Sequence, residues 1–185
     1  NIYQPEKLKS EEFHDVLKSW NADLFVVVAF RMLPEVVWAM PNKGTINLHA
    51  SLLPQFRGAA PIQRAIMQGA TESGATVFRL THEIDTGNII CSTKVSIGPN
   101  ENAGSLHDRI LESGSHLLID ALNLISDGKD AEIPQAELIV GEVLEAPKIF
   151  KEDRRINWSM NSYNVHNHIR GLSPYPAAFT TKSGN

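Results

Sequence analysis

The chain has 185 residues, enough for one globular domain with a core of its own. Apolar residues make up 42% and charged residues 21%, and the net charge is −4, which argues against a domain held mainly by nucleic-acid phosphates while leaving room for a local contact. A single cysteine, Cys91, excludes an intramolecular disulfide and gives no thiolate cluster for zinc.

Residues 1–4 read as a short edge strand. Ser10 to Trp20 places Phe13, Val16, Leu17 and Trp20 at helix spacing, with Ser10 as N-cap and Glu11 and Glu12 in the first turn. Leu24 to Phe30 is a continuous β-prone run. It is too short to cross a bilayer and predicts a strand buried on both faces, as in a parallel sheet. Pro34 to Met40 is a short helix opened by Pro. Gly44 to His49 is a strand, and Pro61 to Gln68 a helix closed by Gly69.

Strands follow at Ala75–Thr81 and Asn88–Val95. Ala103–Ser126 is a long helix with Leu106, Ile110, Leu111, Leu117, Leu118, Ala121, Leu122 and Ile125 on one stripe. Cys91 falls in a strand as a small buried apolar group. Strand–helix alternation gives an α/β class with a mostly parallel central sheet. From about Ile133 the periodicity loosens, and Ser162–Arg170 is helical again. His14, His107 and His116 read as partly exposed, and His166 and His168 as surface histidines without metal spacing.

Asn47 and His49 lie two apart on a strand and share a face. A Pro- and Gly-containing loop follows, and Asp85 stands in a segment after a second apolar run. Arg31, His49 and Asp85 all fall at the carboxyl ends of strands, where open α/β sheets bind ligands. An amide, an imidazole and a carboxylate suit a reaction that forms a tetrahedral oxyanion and moves a proton. Arg31, Met32 and Leu33, just after the Leu24–Phe30 strand, are a candidate wall of the ligand site.

Asn47, His49, Ser51, Leu52, Leu53, Pro54, Arg57 and Gly58 fill every fixed position of Asn-x-His-x-Ser-Leu-Leu-Pro-x-x-Arg-Gly. That pattern resembles the signature of the formyltetrahydrofolate-dependent formyltransferases. Ile84-Asp85-Thr86-Gly87 is similar to the motif carrying the family's third catalytic residue. Gly58 to Ile66, Glu72 to Thr76, Arg155 to Trp158 and Ile169 to Pro176 bring the resemblance nearest to the branch that formylates methionyl-tRNA. The Pro174-Tyr175-Pro176 block is also similar to nucleotide-sugar formyltransferases, and Asn157 stands where Asp is common.

The resemblance implies catalysis by Asn47, His49 and Asp85. The donor is 10-formyltetrahydrofolate, held by Ser51, Leu52, Leu53 and Pro54, and no metal is needed. It implies a Rossmann-like catalytic domain at 1–131 without its first β-α-β unit, a linker at 132–155, and at 156–185 the start of a mostly missing barrel-like domain. Both ends read as cut: there is no starting Met, and Thr181–Asn185 resembles an interrupted hairpin. Lys148, Lys151, Arg154 and Arg155 form a basic cluster broken by Glu152 and Asp153. It reads as solvated linker, and the resemblance adds contact with a tRNA acceptor arm. The expected protein is a cytoplasmic monomer with no membrane contact. The alternatives are a nucleotide-amino-sugar formyltransferase or another formyltetrahydrofolate-using enzyme, and a folate- or RNA-binding module without catalysis.

Overall fold

A computed structural model describes residues 2–182. Helix α1, Glu11–Ser19, starts where the Ser10 hydroxyl accepts the Phe13 N–H, with Glu11 and Glu12 favourable beside its positive end. Its buried Phe13 and Leu17 pack with Val37 and half-buried Leu8, Phe25, Leu33 and Met40. Strand β1, Phe25–Val28, pairs in parallel with β2, Thr45–His49, through the short α2, Glu35–Trp38. After α3, Pro61–Met67, come β3, Glu72–Arg79, and β4, Ile89–Ser96. The order is β1-β2-β3-β4.

The class is α/β as expected, but the sheet is mixed. β3 runs antiparallel to both β2 and β4. A parallel pair needs a crossover of a dozen or more residues, usually helical. The loop at 80–88 carries no helix and returns the chain as an antiparallel partner. The view of β1 as buried on both faces is also corrected. Val26 and Val28 are 42% and 47% exposed, because they lie on the face of Ile46 and Leu48, where the covering helix packs over β3 and β4 rather than over β1.

Helix α4, Ala103–Ser126, has the expected bounds, with Asn102 Oδ1 accepting the Ser105 N–H. It lays Leu106, Ile110, Gly114, Leu117, Ala121 and Ile125 over β3 and β4. Leu111, placed on the stripe from sequence, is exposed, and Gly114 takes the inner position instead. Ile46, Ala75, Val77 and Leu106 are fully buried in the resulting core.

Residues 132–155 lie against the sheet unit. Ile133 bridges Ile89, and Glu145 bridges Arg57. Helix α5, Ser162–Gly171, packs on α3. His166 is exposed, but His168 and its neighbour Asn167 are buried, which corrects the reading of surface histidines there. Buried Arg170 donates to Asn167 Oδ1 and to the carbonyls of Gly98 and Glu101, tying α5 to the turn before α4. Ile2 to Gln4 form no strand, and Asn1 lies outside the described residues, as do Ser183 to Asn185 of the expected hairpin. Among the described residues no helix is long and apolar enough to cross a membrane.

Candidate active site

Ile46 and Leu48 of β2 face the core beneath α4, so alternation turns Asn47 and His49 to the other face. Their cross-strand neighbours are Phe78 and Thr76. The His49 Nε2 lies 2.8 Å from the Phe56 carbonyl oxygen. A carbonyl only accepts, so Nε2 carries the hydrogen and donates it. The Nδ1 faces Asp85 Oδ2 at 3.7 Å, an ion-pair contact longer than a hydrogen bond. The same Oδ2 accepts the Gly58 N–H at 2.9 Å. Both ring nitrogens are therefore engaged within the protein.

Asp85 does not come to His49 by sharing a strand end. The carboxyl end of β3, Arg79, lies beside Ile46 at the opposite end of β2 from His49, because the pair is antiparallel. The loop at 80–88 carries Asp85 back to the ring instead. Two backbones are bent to do this: Asp85 has φ 54° and Phe56 has φ 61°. Left-handed conformations at non-glycine residues cost about 1–3 kcal/mol and gather at functional sites.

Asn47 is the one member of the set left open. Its Oδ1 is buried without a hydrogen-bond partner. A buried amide oxygen without a partner costs roughly 1–3 kcal/mol, which a ligand donor would relieve.

The candidate donor-binding residues have mixed surroundings. Ser51 is fully buried, its hydroxyl donating to the Gln55 carbonyl and its own carbonyl accepting from Thr76 Oγ1. The Leu53 N–H donates to Thr76 Oγ1. Leu52 packs against Gly74, where an added Cβ would stand 2.8 Å from its Cδ2. Pro54 is buried. This loop is stiffened from within, and its free edges rather than these bonded groups are what it offers a ligand. The segment after β1 leaves the sheet at the His49 end, since Val28 is level with Leu48. Within it Arg31 donates to the Pro5 carbonyl, Met32 is exposed and Leu33 joins the α1 cluster.

Two surface depressions, of about 450 and 420 Å³, lie elsewhere, beside Arg109 and His116 and beside Lys43 and Asp130. Among the described residues no three His, Cys, Asp or Glu side chains gather as a metal-holding group.

Sequence reasoning missed Gln135, which lies in the aperiodic segment after α4. It is buried and bonds to both Arg57 and the Asp85 loop. Only its position after Pro134 sets it apart in the sequence, and no spacing rule reaches it.

Residues 1–122 match the family described as formyl transferase, and residues 148–185 match the formyl transferase C-terminal domain. The chain belongs to the formyl transferase family. It is 54% identical over 180 residues to a methionyl-tRNA formyltransferase of Bacteroides fragilis, a match covering 97% of this chain and 56% of that protein. Against a methionyl-tRNA formyltransferase of Parabacteroides distasonis the identity is 51% over 181 residues, with the same coverage of 97% and 56%. The chain thus spans a little over half the length of these relatives. Among solved formyl transferase structures, a 4-N formyltransferase from Francisella tularensis superposes with a TM-score of 0.80 at 20% identity, covering 97% of this chain and 72% of that one. HypX from Aquifex aeolicus, in complex with tetrahydrofolic acid, superposes with a TM-score of 0.75 at 22% identity, covering 90% and 28%. At those identities the likeness is one of fold.

Proposed function

We propose that the protein containing this chain transfers the formyl group of 10-formyltetrahydrofolate to the α-amino group of methionyl-tRNA. The observation that carries the reading is the buried His49–Asp85 contact at 3.7 Å with Asn47 on the same face of β2. The relatives named as methionyl-tRNA formyltransferases support the choice of acceptor.

In this reading the neutral amine attacks the formyl carbon, and a new C–N bond forms. Negative charge moves to the formyl oxygen, and the Asn47 amide N–H stabilises it. The carbon–N10 bond then breaks, N10 takes a proton, and the former amine loses one. Asp85 accepts the proton that the former amine loses and returns it to N10 as the carbon–N10 bond breaks, and the His49 ring holds the carboxylate in place. The Phe56 carbonyl fixes the ring's orientation through Nε2. With Nε2 donating to the Phe56 carbonyl, His49 has no free N–H for the formyl oxygen and acts by holding Asp85 in place. Asn47 is therefore the direct donor.

Arg31, Met32 and Leu33 on one side and Ser51, Leu52, Leu53 and Pro54 on the other frame the folate. Exposed Lys148 and Lys151 contact the tRNA acceptor arm, whereas Arg154 is half-buried and bonded to the Ala177 carbonyl.

The test uses the full-length protein with 10-formyltetrahydrofolate and charged initiator methionyl-tRNA. Formylmethionyl-tRNA should accumulate with wild type and fall about 10²–10⁴-fold with Asp85→Asn. No product with methionyl-tRNA, but turnover with an amino-sugar nucleotide, would overturn the acceptor.

A further inference from the structure

Gln135 is 2% exposed, and its amide is fully used. Its Oε1 accepts from Arg57 Nε at 3.0 Å and from Arg57 Nη2 at 2.7 Å. Its Nε2 donates to the Asp85 carbonyl at 2.9 Å and to the Gly87 carbonyl at 2.8 Å. Arg57 sits between Phe56, whose carbonyl holds the His49 ring, and Gly58, whose N–H holds the Asp85 carboxylate. One side chain thus joins the loop that orients His49 to the loop that carries Asp85.

The carbonyl it takes from Asp85 belongs to the residue at φ 54°, whose backbone needs support to stay there. Gln135 is itself pinned. Ile133, two residues before it, exchanges backbone hydrogen bonds with Ile89 at 2.8 and 2.9 Å. Further along, the Leu144 carbonyl accepts from the Phe56 N–H, the Ala146 N–H donates to the Arg57 carbonyl, and the Ala146 carbonyl accepts from the Ala60 N–H. The strand of chain at 133–146 therefore grips both loops.

We propose that Gln135 is a positioning residue, fixing the Asp85 loop against the Arg57–Gly58 turn so that the carboxylate stands against the His49 ring. The role rests on the formyl-transfer reading of the site. Gln135→Met keeps the length and volume of the side chain but removes its donors and its strong acceptor. Gln135→Glu keeps an acceptor for Arg57 but turns an oxygen toward two carbonyls.

In the full-length protein, both variants should lower kcat about 10–100-fold, the cost of a displacement of about 1 Å. The KM for 10-formyltetrahydrofolate should stay within about two-fold. Exchange of the Gly58 amide, whose N–H bonds to Asp85, should speed up at least about tenfold, while the Ala75 and Val77 amides keep their protection. Wild-type kcat or an unchanged Gly58 amide in Gln135→Met would overturn the proposal. So would wild-type kcat in Gln135→Glu, or loss of protection at Ala75 and Val77 as well, since the residue would then serve the core. If the wild type formylates no methionyl-tRNA, the function reading fails separately, and Gly58 exchange still decides the positioning role.

Discussion

Cys91 is half-buried in β4, its sulfur 3.8 Å from the Leu117 carbonyl. Burial, with a smaller contribution from Asp120, pushes its thiol up from 9.0 to about 11. Between those values the folded chain keeps a proton that the unfolded chain has lost. The stabilising contribution is therefore whole below pH 9 and declines as pH rises through about 11. Iodoacetamide at pH 9 should alkylate Cys91 at least about tenfold more slowly in the native protein than in urea, because only the thiolate reacts. Equal rates would contradict that environment. At the candidate site, strand alternation was enough to put Asn47 and His49 on one face, and the motif around Asp85 pointed to the carboxylate that the structure brings to the His49 ring. What the chain's local pattern could not convey was the traffic of hydrogen bonds around them. The ring's anchor is a backbone carbonyl, at Phe56, and the support of Asp85 comes from Gln135, 50 residues away.

At the scale of elements, bounds set by local chemistry were legible. Ser10 caps α1 as read, and α4 has the bounds its apolar stripe gave, although the Asn102 cap that starts it was not named from the sequence. Sheet sense was not legible, because β2 and β3 are joined through α3 and still pair antiparallel. The segment at 132–155 lacked any period because it pairs by isolated bridges and single carbonyls rather than by a ladder. Its fit against the signature loop is close. Gly58 has φ 121°, and a Cβ there would stand 2.5 Å from the Ala146 carbonyl oxygen. Gly58→Ala should therefore lower stability by about 1–3 kcal/mol in urea unfolding. It should also slow formyl transfer by shifting the N–H that holds Asp85. A variant with an unchanged midpoint would show that the segment yields freely.

The molecule as a whole is organised by which face of the mixed sheet does what. One face, with Ile46, Ala75 and Val77 fully buried, is covered by α4 over β3 and β4 and lies open at Val26 and Val28 of β1. The other carries Asn47 and His49, closed over by the loop at 80–88 and braced by the chain at 133–146. α5 packs on α3, and its Arg170 reaches back to Gly98 and Glu101, so residues beyond 155 are joined to the sheet unit by buried polar contacts. The α/β class followed from strand–helix alternation. The division of labour between the two faces needed the pairing register, which long-range contacts set.

The central claim is that His49 and Asp85 act as one unit in formyl transfer. It is tested most directly by measuring methionyl-tRNA formylation in the full-length protein for wild type, His49→Ala, Asp85→Asn and the double variant. The account predicts that each single change costs about 10²–10⁴-fold and that the double variant is little worse than the more damaging single one. Losses that multiply would mean that the two residues act independently, and would contradict it.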